Sequence, residues 1–259
     1  MASSSAPASV LDDYRFREVF NQTLFESSVR RKNIIPEGAF DLNEDEYPQI
    51  KEQIALRGWR RLAAPMTRVS KLLVHEFYAN AAVSDEEVAN AGQLPYKSFA
   101  ETDYRTHQAT SQRLDEVLAD LCILGATWRL SSSQPAVPIQ LRRTELLTLA
   151  RGWQEFIIHS LVPMGNKSEI TVARAILIHA IMRGEDVRAE DIIADNMAVI
   201  AQRLQGKGNL SFPSTIYKLC KDAGVPLREF RRTSKIPEAK LITAKRMEST
   251  RIPRSVPAQ

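Results

Sequence analysis

Apolar residues recur at helical spacing along most of this chain, and a glycine or proline stands at the end of nearly every such run. Val10, Leu11, Tyr14, Val19, Phe20, Leu24 and Phe25 predict a first helix over about 12–32, broken by Pro36-Glu37-Gly38. Tyr47-Pro48 opens a short helix that holds Ile50, Ile54 and Leu56 and stops at Gly58, just before Trp59. After Pro65, residues 67–81 carry Val69, Leu72, Leu73, Phe77 and Tyr78 on one stripe. Ser84-Asp85-Glu86-Glu87 reads as a helix start that runs out at Gly92 and Pro95. Residues 110–124 are helical again through Leu114, Val117, Leu118, Leu121 and Cys122, with Gly125 as the stop.

The second half is more regular. Residues 144–161 place Leu147, Ala150, Trp153, Phe156, Ile157 and Leu161 on one face, up to Pro163-Met164-Gly165. Asn166 or Ser168 can cap the next run, 170–183, which is apolar almost all round and ends at Gly184. Residues 188–204 are amphipathic, and Pro213 opens a last helix that ends at Gly224. Strand signals are scarce: only 126–130 and 137–141 have a claim, on either side of a Ser- and Pro-rich linker. The expected fold is therefore all-α, a multi-helix bundle. Residues 1–9 read as a disordered tail, 10–130 as an N-terminal helical region, 140–226 as the helical core, and 227–259 as a basic, largely irregular tail.

Charge sharpens this division. The formal net charge is +4, yet 205–259 holds twelve Lys/Arg against four acids, a surplus of eight, and the remainder is a mildly acidic body. Basic tails attract polyanions because each neutralised phosphate releases a counterion. If nucleic acid is contacted, Arg231, Arg232, Lys235, Lys245 and Arg246 are the expected residues, binding backbone phosphates with little regard for sequence. Few aromatics accompany them, so a base-stacking platform is not expected. No apolar run approaches the roughly 18 residues a membrane span needs, and no signal pattern opens the chain. The expectation is an intracellular protein without membrane contact.

Candidate chemistry is thin. Neither GxxxxGK[ST] nor GxGxxG occurs, and Gly206-Lys207-Gly208 is too short to cradle a phosphate. The histidines are His75, His107, His159 and His179. No HExxH exists, and no carboxylates or thiols stand at ligand spacing, so neither metal nor cofactor is expected. His159 and His179 fall on helices expected to pack together, but each reads as a half-buried histidine bonded to backbone. Cys122 and Cys220 lie on apolar faces and read as buried structural thiols. Glu185, Asp186, Glu190, Asp191 and Asp195 gather at one helix start, where the dipole favours acids. Trp153 reads as a core anchor.

Wording, by contrast, is informative. Ala150-Arg-Gly-Trp-Gln-Glu-Phe-Ile-Ile-His-Ser-Leu-Val-Pro163 is followed by Asn166-Lys-Ser-Glu-Ile-Thr-Val-Ala-Arg-Ala175 and Ile178-His-Ala-Ile-Met-Arg-Gly184. Ile193-Ala-Asp-Asn196 and Phe212-Pro-Ser-Thr-Ile-Tyr-Lys-Leu-Cys-Lys-Asp-Ala-Gly-Val225 come next. Upstream stand Ile34-Ile-Pro-Glu-Gly-Ala-Phe40, Arg57-Gly-Trp59 and Val74-His-Glu-Phe-Tyr-Ala-Asn80. In this order the phrases resemble the family named putative plant transposon protein domain, and more distantly the first open reading frame of Athila-type retrotransposons. Family members carry a longer helical insert between Tyr96-Lys-Ser-Phe99 and Gln112-Arg-Leu-Asp115. Only twelve residues bridge the two here, so this copy reads as internally shortened.

The resemblance implies transposon origin and supplies no catalytic residues. The expected function is a non-enzymatic helical structural or protein-interaction module with protein partners, self-association included. The alternative is a gag-like or regulatory accessory protein that contacts nucleic acid through its basic tail. An enzyme of mobile-element chemistry is not expected. No carboxylate triad for two metals, Asp-Thr-Gly, Tyr-x-Asp-Asp or zinc knuckle is present.

Overall fold

The computed structural model of the protein describes residues 12, 15–65, 68–84, 110–163, 168–227, 234–236 and 239–249. In chain order they form α1 (Val19–Ser27), β1 (Gly38–Asp41), α2 (Pro48–Leu56), α3 (Arg60–Ala63) and α4 (Lys71–Ala81). Then come α5 (Ser111–Leu121), β2 (Arg129–Leu130), β3 (Pro138–Arg142), α6 (Thr148–Ser160), β4 (Glu169–Thr171) and α7 (Val172–Met182). The chain continues through α8 (Ala189–Gln202), α9 (Pro213–Asp222), β5 (Lys240–Thr243) and α10 (Ala244–Glu248). Short 3-10 turns occupy Val29–Arg31 and Arg143–Glu145.

The all-α expectation is wrong. Two sheets are present among the described residues. One pairs β1 with β5 in parallel, Gly38 opposite Lys240 through Asp41 opposite Thr243. The other runs β2-β3-β4 and is antiparallel, with Leu141 opposite Ile170. Strands of two to five residues are too short for alternation to stand out against helical periodicity. The β1–β5 pair also joins segments about 200 residues apart, so no hairpin turn announces it. The two weak strand signals, 126–130 and 137–141, fall where β2 and β3 form. The segment expected to be irregular contains β5 and α10.

The chain divides into two compact units, each built from three stretches: 1–37, 66–96 and 194–238, and then 38–65, 97–193 and 239–259. In the first unit, α1 and α4 are joined by a buried polar side chain. Asn21 Nδ2 donates to the carbonyls of Ala79 and Ala82, at 2.9 and 3.0 Å, and so satisfies carbonyls at the end of α4. Ser70 caps the start of α4 by accepting from the Leu73 amide. The Glu37 carboxylate, 2% exposed, accepts from the Ser214 and Thr215 amides and so caps α9. Phe25, Val29, Val74, Tyr78, Phe212 and Ile216 form the apolar interior of this unit.

The second unit is built around α6 and α7. Every residue from Ala150 to Ser160 is buried, as is every residue from Arg174 to Ile181. Trp153 is fully buried, with its ring 5.7 Å from Phe40 and 5.8 Å from Phe156, both edge-on. Trp59 stacks on Phe156 at 6.2 Å. Gly152 lets α10 approach: a Cβ there would lie 2.5 Å from Met247 Cε. Spacing predicts Phe156, Ile176, Ile181 and Ile193 as core, and all are buried; Met197 and Ile200, expected likewise, fall in the part of α8 assigned to the first unit, where Met197 is buried and Ile200 only half-buried. Leu147 sits just outside α6 as its N-cap and is 41% exposed. Among the described residues, no helix is long and apolar enough to cross a membrane.

Candidate functional site

α6 carries Arg151, Glu155 and His159, three ionisable residues four apart on a helix that is buried on all sides. A buried charge is tolerated only when paired, and for Glu155 the second unit supplies the partners. Arg246, on α10, donates through Nη2 to Glu155 Oε2 at 2.8 Å. Arg143, from the 3-10 turn, places Nη2 at 3.2 Å from Glu155 Oε1. His159 Nε2 lies 3.5 Å from Glu155 Oε2, one helical turn away.

Burial alone would raise the Glu155 pKa. The hydrogen bond with His159 and the charges of Arg246 and Arg143 outweigh that and hold it at about 2. Glu155 is therefore a fixed anion at neutral pH and unsuited to exchanging protons, because a general acid or base needs a pKa near the working pH. Arg151 is 6% exposed, and its Nη2 donates to Thr148 Oγ1 at 3.1 Å. Burial, and then the charge of Arg143, lower its pKa, while Tyr47 and Glu248 act in the opposite direction. The Tyr47 hydroxyl donates to Glu248 Oε1 at 2.8 Å, and burial together with that carboxylate raises it to about 12.

Other titratable groups of this unit are also paired. Arg113 Nη2 bonds both Glu185 oxygens, at 2.6 and 2.7 Å. Asp120 Oδ2 receives His179 Nε2 and Arg183 Nη1, both at 2.9 Å. The hydrogen bond from Arg183 keeps Asp120 low, and burial keeps His179 low and so neutral near pH 7. His159 and His179 thus pair with different carboxylates, and the backbone contact expected of the histidines is seen at His75, whose Nε2 lies 3.0 Å from the Lys32 carbonyl. Cys122 and Cys220 are buried; burial raises Cys122 to about 11 and Cys220 in the same direction. Lys218, near Cys220 in sequence, is paired with Asp222 on the same helix. Among the described residues, no group of three or more His, Cys, Asp or Glu could hold a metal ion.

Of the five cationic residues singled out for nucleic acid, three lie among the described residues. Arg231 and Arg232 lie outside the described residues. Lys235 is exposed in the first unit, its backbone bridged to Ser70. Lys245 is exposed on α10, and the adjacent Arg246 is half-buried and bound to Glu155. Sequence reading missed Arg143, Arg151 and Glu155. The available signal was the four-residue spacing of Arg151, Glu155 and His159 along an apolar helical stripe.

The family model for a putative plant retrotransposon-related domain matches residues 55–226, about two thirds of the chain. The chain belongs to that family. This retrotransposon-related domain includes α6, α7, α8 and α9, while β1, β5 and α10 lie outside the matched span. No curated protein and no solved structure matches the chain.

Proposed function

We propose that this plant retrotransposon-related protein is a non-enzymatic structural and protein-interaction module. The observation that carries the reading is Glu155. This buried carboxylate of the second unit is committed to Arg143, Arg246 and His159 and held ionised. Such a cluster fastens α10 and the 3-10 turn to α6 and leaves no proton to exchange. Buried, unactivated thiols and a neutral His179 agree with it.

An exposed apolar edge favours protein contact. The bridge between Cys122 and Leu146 draws Ile123, Leu124 and Leu147 together, and they are 50%, 105% and 41% exposed. Exposed clusters of large apolar residues mark association surfaces. The test is light scattering of the purified full chain, with absorbance scored for nucleic acid. The reading expects assemblies free of nucleic acid that Leu124→Glu dissociates while helicity is kept. A strictly monomeric chain that retains nucleic acid would reject it.

The second reading, a nucleic-acid accessory protein, is favoured by the surplus of eight positive charges in 205–259. Deleting that segment would strip β5 from β1 and Arg246 from Glu155, so point substitution is the sounder test. Lys235→Gln/Lys245→Gln should lower affinity for an oligonucleotide and flatten its log–log salt dependence by about 0.7–0.9 per phosphate lost. Unchanged affinity and slope would remove these lysines from the contact.

A further inference from the structure

α6 begins without a cap. Its N-cap residue is Leu147, which offers no side-chain acceptor, and the amides of Thr148, Leu149 and Ala150 have no acceptor among the described residues. Such amides carry partial positive charge, and a helix start with free amides is suited to an anion. A helix start alone would carry nothing; here a buried side chain adds to it. Arg151 is 6% exposed, and its Nε and Nη1 are buried without a hydrogen-bond partner. Its remaining Nη2 donates to Thr148 Oγ1, which draws the guanidinium back towards the first turn. Arg143 contributes a second buried, unpartnered Nε close enough to disfavour the charge on Arg151.

Two arginines and three amides thus present donors that the described chain does not satisfy. Unpaired buried donors are costly, and two guanidiniums near one another raise the cost further. The acids nearby do not resolve it. Glu155 is taken by Arg143, Arg246 and His159. Glu248 accepts from Tyr47 and forms no ion pair with Arg151 within 4.0 Å. Glu145 lies 4.0 Å from Arg142, and its charge acts on the Cys122 thiol. Leu147, the N-cap residue, is 41% exposed.

We propose that the N-terminus of α6, with the Arg151 guanidinium, is a binding site for a phosphate group. A tetrahedral oxyanion has enough acceptor oxygens to meet the first-turn amides and the free Arg151 donors together. Free phosphate and the terminal phosphate of an oligonucleotide share this chemistry.

Calorimetric titration of inorganic phosphate into the full chain tests the site, with ionic strength held constant by chloride. The expected result is saturable one-to-one binding, weakened at least about tenfold in Arg151→Met, since a hydrogen bond to a charged group is worth at least that factor. Thr148→Pro is the second variant. Proline is tolerated at the first helical position, and Leu147 already has the extended backbone proline requires of its predecessor. It removes one amide donor and the hydroxyl that holds Arg151, and should weaken phosphate several-fold with helicity unchanged. Oligonucleotides with and without a 5′-phosphate distinguish the sources. Tighter binding of the phosphorylated form places a nucleic-acid terminus in the site, and equal binding leaves free phosphate as its occupant. No saturable phosphate binding by the wild-type chain would overturn the proposal, as would equal affinity in wild type and a folded Thr148→Pro.

Discussion

Replacing Glu155 with glutamine removes one charge and leaves the shape of the side chain nearly unchanged. Its effect follows from the three groups it faces. In the folded chain the carboxyl pKa falls from the ordinary 4.5 to about 2. A depressed carboxylate stabilises the fold above its unfolded pKa, and that stability is lost as pH falls through the folded value. The window is therefore about pH 4.5 down to about 2. The full span converts to about 3 kcal/mol. Arg246 and Arg143 remain 30% and 22% exposed, so solvent screening reduces this to about 2 kcal/mol.

Glu155→Gln should therefore lose about 2 kcal/mol at neutral pH, and the gap to wild type should close as pH falls below about 4. The assay is urea unfolding followed by tryptophan fluorescence. Trp59, Trp128 and Trp153 all lie in the second unit, so the signal reports on the unit that holds Glu155. A loss under about 0.5 kcal/mol at neutral pH, or a gap constant across that window, would refute the reasoning.

Trp153→Ala removes a fully buried indole that meets Phe40 and Phe156, and should cost about 3–5 kcal/mol in the same unfolding assay. Gly152→Val drives new atoms into Met247 and Ile50 and should cost about 1–3 kcal/mol, with Met247→Ala restoring part of the loss. Cys122 and Cys220 are buried with raised pKa values, so a thiol reagent near neutral pH should label them only as fast as the fold opens. Labelling at the rate of a free thiol would contradict their placement.

Legibility in the sequence followed element length. α2 and α9 were readable because each has proline at its start and a glycine with positive φ just beyond its end, Gly58 and Gly224. α4 and α6 were readable from their apolar stripes, although α4 starts four residues later than its stripe suggested. α5 ends at Leu121, ahead of Gly125, because Cys122 turns extended and bridges to Leu146, a tertiary contact that overrides the local stop signal. The sheets were the main failure. β4 is three residues leading directly into α7, so its Ile170 read as part of the helical run. β5 and α10 were hidden by the basic composition around them. Their order depends on β1 and α6, which composition does not reveal. In the site, the Arg151–Glu155–His159 spacing was visible, but Arg143 and Arg246 reach Glu155 only through the fold.

The direct test of the central claim, that Glu155 is a fixed ion and not a proton donor, is its own titration. Carbon-13 labelling of the glutamate carboxyls, with Glu155→Gln to assign the resonance, lets its midpoint be read by NMR. The account predicts a signal that stays put from neutral pH to about 3.5 and moves only as pH approaches about 2. A midpoint at 4.5 or above would show that burial outweighs the arginines, and would return Glu155 to the list of groups able to exchange a proton.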